Sequence, residues 1–217
     1  MRNKKKLQPG RILVITGLLL LAAALLLTGY NLWDEGRAEE KADAALEGLL
    51  PEIEEESQQL VKAAEAAAAE QLEVIPDYML NPEMDMPVKE IDGIWYIGAL
   101  DIPVLGLSLP VIDVWSYPNL KIAPCRYTGS AYLNDLVIAA HNYRSHFRNI
   151  KSLRPGDALT FTDVDGNAFP YEVQEIEVLA PTAIEKMVDS AYDLTLFTCT
   201  YGGQSRLAVR CVRSETE

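Results

Sequence analysis

An uncharged apolar segment near the N-terminus limits what this chain can fold into. Residues 12–30, ILVITGLLLLAAALLLTGY, are nineteen consecutive residues without a charge. A helix needs roughly 20 residues to cross the hydrocarbon core of a bilayer, and backbone amides in lipid must pair within the segment, which favours a helix. The eleven residues before the segment carry five positive charges and no acid. This flank predicts a cytoplasmic N-terminus and an extracellular remainder.

A cleaved signal peptide is the alternative to an anchor. Its apolar region is usually about 7–15 residues long and ends at a small-x-small cleavage site. The small residues Ala22, Ala23 and Ala24 lie too early in the apolar segment for such a site. We therefore expect an uncleaved single-pass membrane anchor over residues 12–30, after a cytoplasmic basic tail over residues 1–11.

The formal net charge of −13 is unevenly distributed along the chain. Residues 34–76 hold thirteen acidic and three basic residues, and no basic stripe follows the apolar segment. This pattern argues against nucleic acid as a partner. Residues 34–76 are also rich in Ala, Glu and Leu, which favours two helical pieces, one before and one after Pro51. We assign residues 31–87 to an acidic helical stalk or linker, with a partly disordered spacer as the open alternative.

The remainder, residues 88–217, has the pattern of a β domain. Short β-rich runs alternate with turn signals, and the Asp165-Gly166 pair predicts a hairpin. A short helix is predicted over residues 182–189. The predicted strands lie in residues 94–112, where Pro103 and Gly106 separate two of them, and in residues 135–141, 158–181 and 194–211. Six or more short strands with small helices between them predict a mostly antiparallel, closed β-barrel.

Three residues suited to catalysis lie at the ends of predicted strands. His141 ends one buried strand, Cys199 ends another, and Arg206 begins the strand after it. A thiolate is a nucleophile whose pKa falls near positive charge, and an imidazole can transfer a proton to a leaving amine. A guanidinium suits the oxyanion that develops on a carbonyl under attack. If the strand ends converge at one rim of the barrel, the set predicts acyl transfer through a thioester.

Other residues compete for these roles or have ordinary structural explanations. Arg210 lies four residues after Arg206 on the same predicted face of the strand, so it is a rival for the oxyanion role. We interpret His146 as a surface or packing residue. An extracellular chain with three cysteines also invites a disulfide. We favour two buried free thiols at Cys125 and Cys211 over that disulfide.

Four ordered motifs, between about residues 96 and 213, resemble those of the sortases, the membrane-anchored cysteine transpeptidases of Gram-positive bacteria. The motifs are LDIPVLGLSLPV (residues 100–111), NDLVIAAHN (134–142), SLRPGDALTF (152–161), and the pair LTLFTCT and SRLAVRC (194–211). The resemblance implies a sortase-type barrel in which Cys199 is the nucleophile, His141 the acid/base and Arg206 the oxyanion or substrate-positioning group. It also implies that Thr198 helps to bind the substrate backbone, and it implies no metal or cofactor.

The resemblance further implies a reaction and its partners. The enzyme would cleave an LPxTG-like C-terminal sorting signal of a secreted surface protein, form a thioester, and transfer the acyl group to an amine. That amine would come from a lipid-linked cell-wall precursor or from a pilin lysine. The run HNYRSHF is unlike the GHR form common in the family, so the subclass is unassigned, with class B and class D as options.

Competing functions predict different sequence patterns. An NlpC-like peptidoglycan hydrolase would place the nucleophile on a helix ahead of the histidine, and an L,D-transpeptidase would have a Ser-x-Gly-Cys run. Neither pattern fits LFTCT. The alternative that stays open is a non-catalytic, membrane-tethered β-barrel that binds a peptide. Rapid alkylation of Cys199 alone, near neutral pH, would distinguish the enzyme from this barrel.

Overall fold

The computed structural model describes residues 9–69, 75–188 and 191–214, so residues 1–8 of the predicted basic tail lie outside the described residues. The chain divides into two compact units, Met1–Arg37 and Ala38–Glu217. The described part of the first unit is entirely helical and belongs to α1 (Pro9–Ala69). Within the described residues, α1 is the one helix whose length and composition would allow it to cross a membrane.

Helix α1 differs from the sequence prediction at Pro51. Two helical pieces are predicted to meet there, whereas α1 continues without a break and contains Pro51. A proline inside a helix removes a backbone hydrogen bond at a cost of about 3 kcal/mol. Burial of Leu49 and Ile53 on either side of Pro51 offsets that cost. The buried residues of α1 recur at helical spacing, and they are Ala38, Ala42, Ala45, Leu46, Leu49 and Ile53.

The described part of the second unit contains nine strands and three further short α-helices. The strands are β1 (Lys89–Ile91), β2 (Ile94–Ile102), β3 (Leu107–Ile112), β4 (Cys125–Thr128), β5 (Leu136–Ala140), β6 (Ala158–Asp163), β7 (Ala168–Leu179), β8 (Leu194–Cys199) and β9 (Arg206–Arg213). The helices are α2 (Asp77–Leu80), α3 (Tyr117–Leu120) and α4 (Ile184–Val188). Short 3-10 helices cover Pro103–Leu105, Arg148–Ser152 and Tyr201–Gly203.

Eight of the strands close into a barrel, which confirms the predicted closed, mostly β fold. The order is β2-β3-β4-β5-β8-β9-β7-β6, and β6 pairs again with β2, while β1 extends β2 at its start. The barrel is mostly antiparallel, as predicted, and two neighbouring pairs, β3–β4 and β5–β8, are parallel. Parallel neighbours need a long connection, and between β5 and β8 that connection contains β6, β7 and α4.

Strand β5 shows how the wall of the barrel is buried on both sides. Its five residues are all buried. Leu136, Ile138 and Ala140 face the barrel interior, and Val137 and Ala139 belong to a second apolar cluster on the outer face. The outer cluster also includes Leu49 and other residues of α1. Because both faces of the strand are buried, its sequence is a continuous apolar run and does not alternate between apolar and polar residues.

Tyr78 and Met86, which precede β1, pack at one end of the barrel. Tyr78 of α2 stacks on Tyr132 with ring centroids 4.7 Å apart, and it meets the edge of Phe169 at 5.3 Å. Met86 is also buried in the barrel core. Tyr132 precedes β5, and Phe169 is the second residue of β7. These contacts therefore lie at the barrel end opposite the last residues of β5 and β8.

Candidate active site

The parallel pairing of β5 and β8 brings His141 next to Cys199. Ala140 is the register partner of Thr198. Because the two strands run in the same direction, the next residues, His141 and Cys199, also lie side by side. Neighbouring strands lie about 4.8 Å apart. The histidine and the cysteine, 58 residues apart in sequence, thus meet at one rim of the barrel.

The antiparallel pairing of β8 and β9 places Arg206 directly opposite Cys199. Hydrogen bonds between side chains and between backbone groups close the six-residue turn that connects Cys199 to Arg206. The Thr200 and Ser205 hydroxyl oxygens lie 2.8 Å apart, and the Thr200 amide donates to the Ser205 carbonyl at 3.0 Å. The Arg206 guanidinium donates to the Gly203 and Ser205 carbonyls, both at 3.2 Å. The turn therefore holds the cysteine and the arginine as a cross-strand pair.

All three predicted catalytic residues line one groove, of about 270 Å³, on the outer face of the barrel. Apart from His141, Thr198, Cys199 and Arg206, the described residues that line it are apolar or aromatic and include no acid. The other lining residues are Trp115, Tyr117, Leu120, Tyr127, Ala139, Ala140, Pro181, Ile184, Met187 and Phe197. Such a groove suits an extended peptide with apolar side chains, whose scissile bond would lie at the polar end.

A second cavity, of about 250 Å³, lies against Cys199 and Thr198 as well. Its other lining residues are Asn142, Arg148, Lys151, Thr200, Tyr201 and Leu207. Tyr201, in the turn between β8 and β9, is 98% exposed. Cys199 thus lies where an apolar groove and a more polar cavity meet, so its sulfur can be approached from two cavities.

Aromatic packing connects His141 to a buried histidine, His146. The ring of Tyr143 lies 4.8 Å from the ring of His141 and 5.3 Å from that of His146. His146 is fully buried, as a packing residue, and no described residue gives either of its ring nitrogens a hydrogen bond. Burial, followed by the proximity of His141, lowers the pKa of His146 to about 4. His146 is therefore neutral at physiological pH.

The structure gives Thr198 and Arg210 defined partners. The Thr198 hydroxyl donates to the Ala140 carbonyl at 2.8 Å, which joins β8 to β5 immediately before Cys199 and His141. The role of Thr198 in binding substrate backbone stays a prediction.

Arg210 is 2% exposed and pairs with Glu177 at 2.7 Å, so its guanidinium is engaged below the groove. This engagement favours Arg206 for the oxyanion role.

The three cysteines are free thiols in separate environments. Cys125 belongs to the outer cluster and Cys211 to the barrel interior, so the wall separates them. Burial raises the pKa of both thiols to about 12. Cys199, by contrast, is partly exposed. Among the described residues, no group of three His, Cys, Asp or Glu side chains is arranged to hold a metal ion.

The residues that shape the groove were missed by sequence analysis. Trp115 and Tyr117 come from the loop between β3 and β4, and Pro181, Ile184 and Met187 come from the connection between β7 and β8. Nothing in their spacing marks them, because loops bring them to the groove from separate parts of the chain. The aromatic pairs Trp115–Tyr127 and Tyr127–Phe197, at 5.8 and 5.3 Å, depend on the same tertiary packing.

Comparison with known proteins agrees with this geometry. A family model described as the sortase domain matches residues 100–214. No curated protein matches the chain. The search of solved structures found sortase C1 of GBS pilus island 1, with a TM-score of 0.57, 21% identity and coverage of 81% of this chain and 93% of that one.

Two further solved structures come from Clostridium perfringens. Its sortase D5 transpeptidase is 23% identical, with a TM-score of 0.50 and coverage of 64% of this chain and 88% of that one. Its sortase C, solved with the C-terminal cell wall sorting motif, is 23% identical, with a TM-score of 0.50 and coverage of 80% and 91%. At these identities the likeness establishes a shared barrel fold.

Proposed function

This chain belongs to the sortase family, and we propose that it is a membrane-anchored cysteine transpeptidase. Its substrate is an LPxTG-like C-terminal sorting signal of a secreted surface protein, and its acceptor is an amine from a lipid-linked cell-wall precursor or a pilin lysine. The observation that carries the proposal is the strand register, which pairs Cys199 with Arg206 and brings His141 alongside.

In the first half-reaction, the peptide bound in the groove is cleaved. The Cys199 thiolate attacks the carbonyl carbon of the scissile peptide bond, forming a carbon–sulfur bond and an oxyanion. Arg206 is the permanent cation at that point and stabilises the oxyanion. His141 donates a proton to the nitrogen of the departing amine as the carbon–nitrogen bond breaks. The C-terminal fragment leaves, and the N-terminal fragment stays bound as a thioester.

The second half-reaction restores the enzyme. The acceptor amine enters from the second cavity, beside Asn142 and Tyr201, and loses a proton to His141 as it attacks the thioester carbonyl. A new amide bond forms, the carbon–sulfur bond breaks, and Cys199 leaves as a thiolate. The two cavities on either side of Cys199 support this separation of acyl donor and acceptor.

The proposed location depends on α1. Its apolar stretch is long enough to span a bilayer, and the basic residues before it support a cytoplasmic N-terminus. The barrel then lies outside the cell, where secreted proteins and wall precursors meet.

Intact-mass spectrometry tests the proposal. Full-length protein in detergent micelles is incubated with a panel of LPxTG-like peptides. We expect a mass gain equal to the N-terminal peptide fragment, located on Cys199 and absent in Cys199→Ala. Peptide binding without any covalent adduct, for every peptide that binds, would instead establish the non-catalytic binding barrel.

A further inference from the structure

A fully buried arginine lies beneath the wall of the substrate groove. Arg210 is 2% exposed and lies on β9, four residues after Arg206. Its neighbours Val209 and Cys211 face the barrel interior, so by the alternation of a strand Arg210 faces outward, on the same side as Arg206. The reaction proposed above makes no use of this guanidinium.

The donors of Arg210 are shared among three elements. Its Nε donates to Glu177 Oε1 of β7 at 2.8 Å, and its Nη1 donates to Thr195 Oγ1 of β8 at 2.9 Å. The other contacts go to α4, where Nη2 donates to the Lys186 carbonyl at 2.5 Å and Nη1 to the Met187 carbonyl at 3.4 Å. One side chain therefore fastens α4 to two strands of the barrel.

Helix α4 depends on such a contact because it is short. It has five residues, and an isolated helix of that length is unstable in water. The last carbonyls of a helix have no partner within the helix, and a cation near them also complements the helix dipole. Arg210 supplies both the donors and the charge, while Glu177 compensates for burying a guanidinium.

Side chains of α4 form part of the groove. Ile184 and Met187 both line it, next to Pro181. Met187 is 3% exposed, whereas Ile184 is 50% exposed. The position of α4 consequently sets the width of the groove where an apolar peptide side chain would lie.

We propose that Arg210 is a positioning residue that fixes α4 and thereby sets the affinity and selectivity of the groove for the apolar part of its peptide. The inference rests on the proposed function for its substrate, but the anchoring of α4 is independent of catalysis. Lysine cannot replace arginine here, because an ammonium lacks the planar fork that reaches two carbonyls, a hydroxyl and a carboxylate together.

Hydrogen–deuterium exchange on the full-length protein in micelles tests the anchoring. We expect residues 183–188 to exchange faster in Arg210→Lys and in Glu177→Gln than in the native protein. Arg213→Lys is the matched control, since Arg213 also lies on β9 and donates to a backbone carbonyl, that of Ala131, far from α4. Unchanged exchange of residues 183–188 in both test variants would overturn the proposal.

Peptide-cleavage kinetics test the consequence for substrate. Loss of a groove wall weakens binding of substrate and transition state alike, so Arg210→Lys should raise KM about tenfold and change kcat less than about twofold. It should also reduce the preference for a peptide with leucine over one with alanine at the apolar position. Arg206→Lys should mainly lower kcat.

The outcomes separate the two ideas. If residues 183–188 exchange faster but KM and peptide preference match those of Arg213→Lys, Arg210 anchors α4 without positioning substrate, and the proposal is wrong. If the native protein cleaves no peptide, the proposed function fails and the substrate role of Arg210 fails with it. The exchange experiment still decides whether Arg210 anchors α4.

Discussion

The burial of each of the three thiols sets its reactivity. Burial raises the pKa of the Cys125 and Cys211 thiols to about 12, so almost none of either is thiolate at neutral pH. Cys199 is partly exposed at the groove, opposite Arg206. Of the three sulfurs, only that of Cys199 is therefore accessible to a reagent or to the proposed substrate.

Alkylation should distinguish these thiols. With iodoacetamide at pH 7, we expect one label on the native protein, at Cys199, and three labels after unfolding. The measurement is peptide mapping by mass spectrometry, with Cys199→Ala as the control that stays unlabelled until it unfolds. Equal labelling rates at Cys199 and Cys211 would contradict the assignment of the nucleophile.

The buried histidine should make stability depend on pH. Burial lowers the pKa of His146 from its ordinary value of 6.5 to about 4. Between these values the unfolded chain binds a proton that the folded chain does not, so the free energy of unfolding should fall by up to about 3 kcal/mol as pH falls from 6.5 to 4. Above pH 6.5 this contribution is constant.

Urea denaturation at a series of pH values measures this dependence. His146→Phe, which replaces the imidazole with a ring that takes up no proton, should have a shallower slope between pH 4 and 6.5. His141→Gln is the comparison and should keep most of the native slope, because burial, the larger cause of the lowered pKa of His146, remains. An unchanged slope in His146→Phe would assign the acid sensitivity to other groups.

At the scale of elements, the barrel closes where β2 pairs with β6. Gly98 of β2 is opposite Asp163 and has a φ of +152°. A Cβ atom built at this position would lie 2.0 Å from the Thr162 carbonyl oxygen. Only glycine lets the two strands approach this closely, so one residue permits closure of the barrel.

Gly98→Ala should therefore destabilise the barrel by about 3 kcal/mol or more, because the two strands must separate to admit a methyl group. Gly106→Ala is a matched control. Its φ is +60°, but no atom lies within 4 Å of the added Cβ, so its cost is backbone strain alone, about 1–2 kcal/mol. Thermal or urea denaturation compares the two, and equal losses would mean that backbone strain, not strand contact, requires Gly98.

Sequence patterns predicted the elements better than the contacts between them. The strands that carry His141, Cys199 and Arg206 were predicted because apolar runs and turn signals are local. The parallel pairing of β5 with β8 was not, since register between distant strands depends on the whole barrel. The position of α4 and the contacts of Arg210 were missed for the same reason, and β4, with only four residues, is too short to show a period.

At the scale of the whole molecule, residues 38–69 of α1 belong to the same compact unit as the barrel. Sequence analysis assigned them to a stalk, because the segment is acidic and rich in Ala, Glu and Leu. Yet Leu46, Leu49 and Ile53 pack in the outer cluster with Tyr96 and Ile112. Ser57 also donates a hydrogen bond to the Gly166 carbonyl at 3.2 Å, beside the turn between β6 and β7. Residues 38–57 of α1 thus form a structural layer of the barrel.

If α1 is such a layer, truncating its buried face must destabilise the barrel. Leu49 is fully buried, whereas Val61, on the same helix, is 57% exposed. Leu49→Ala should lower the free energy of unfolding by about 2–5 kcal/mol, and Val61→Ala should change it by no more than about 0.5 kcal/mol. Tryptophan fluorescence during urea denaturation reports on the barrel, because Trp95 and Trp115 lie in it. If both variants unfold at the native midpoint, the helix does not stabilise the barrel and is a spacer, as its composition suggests.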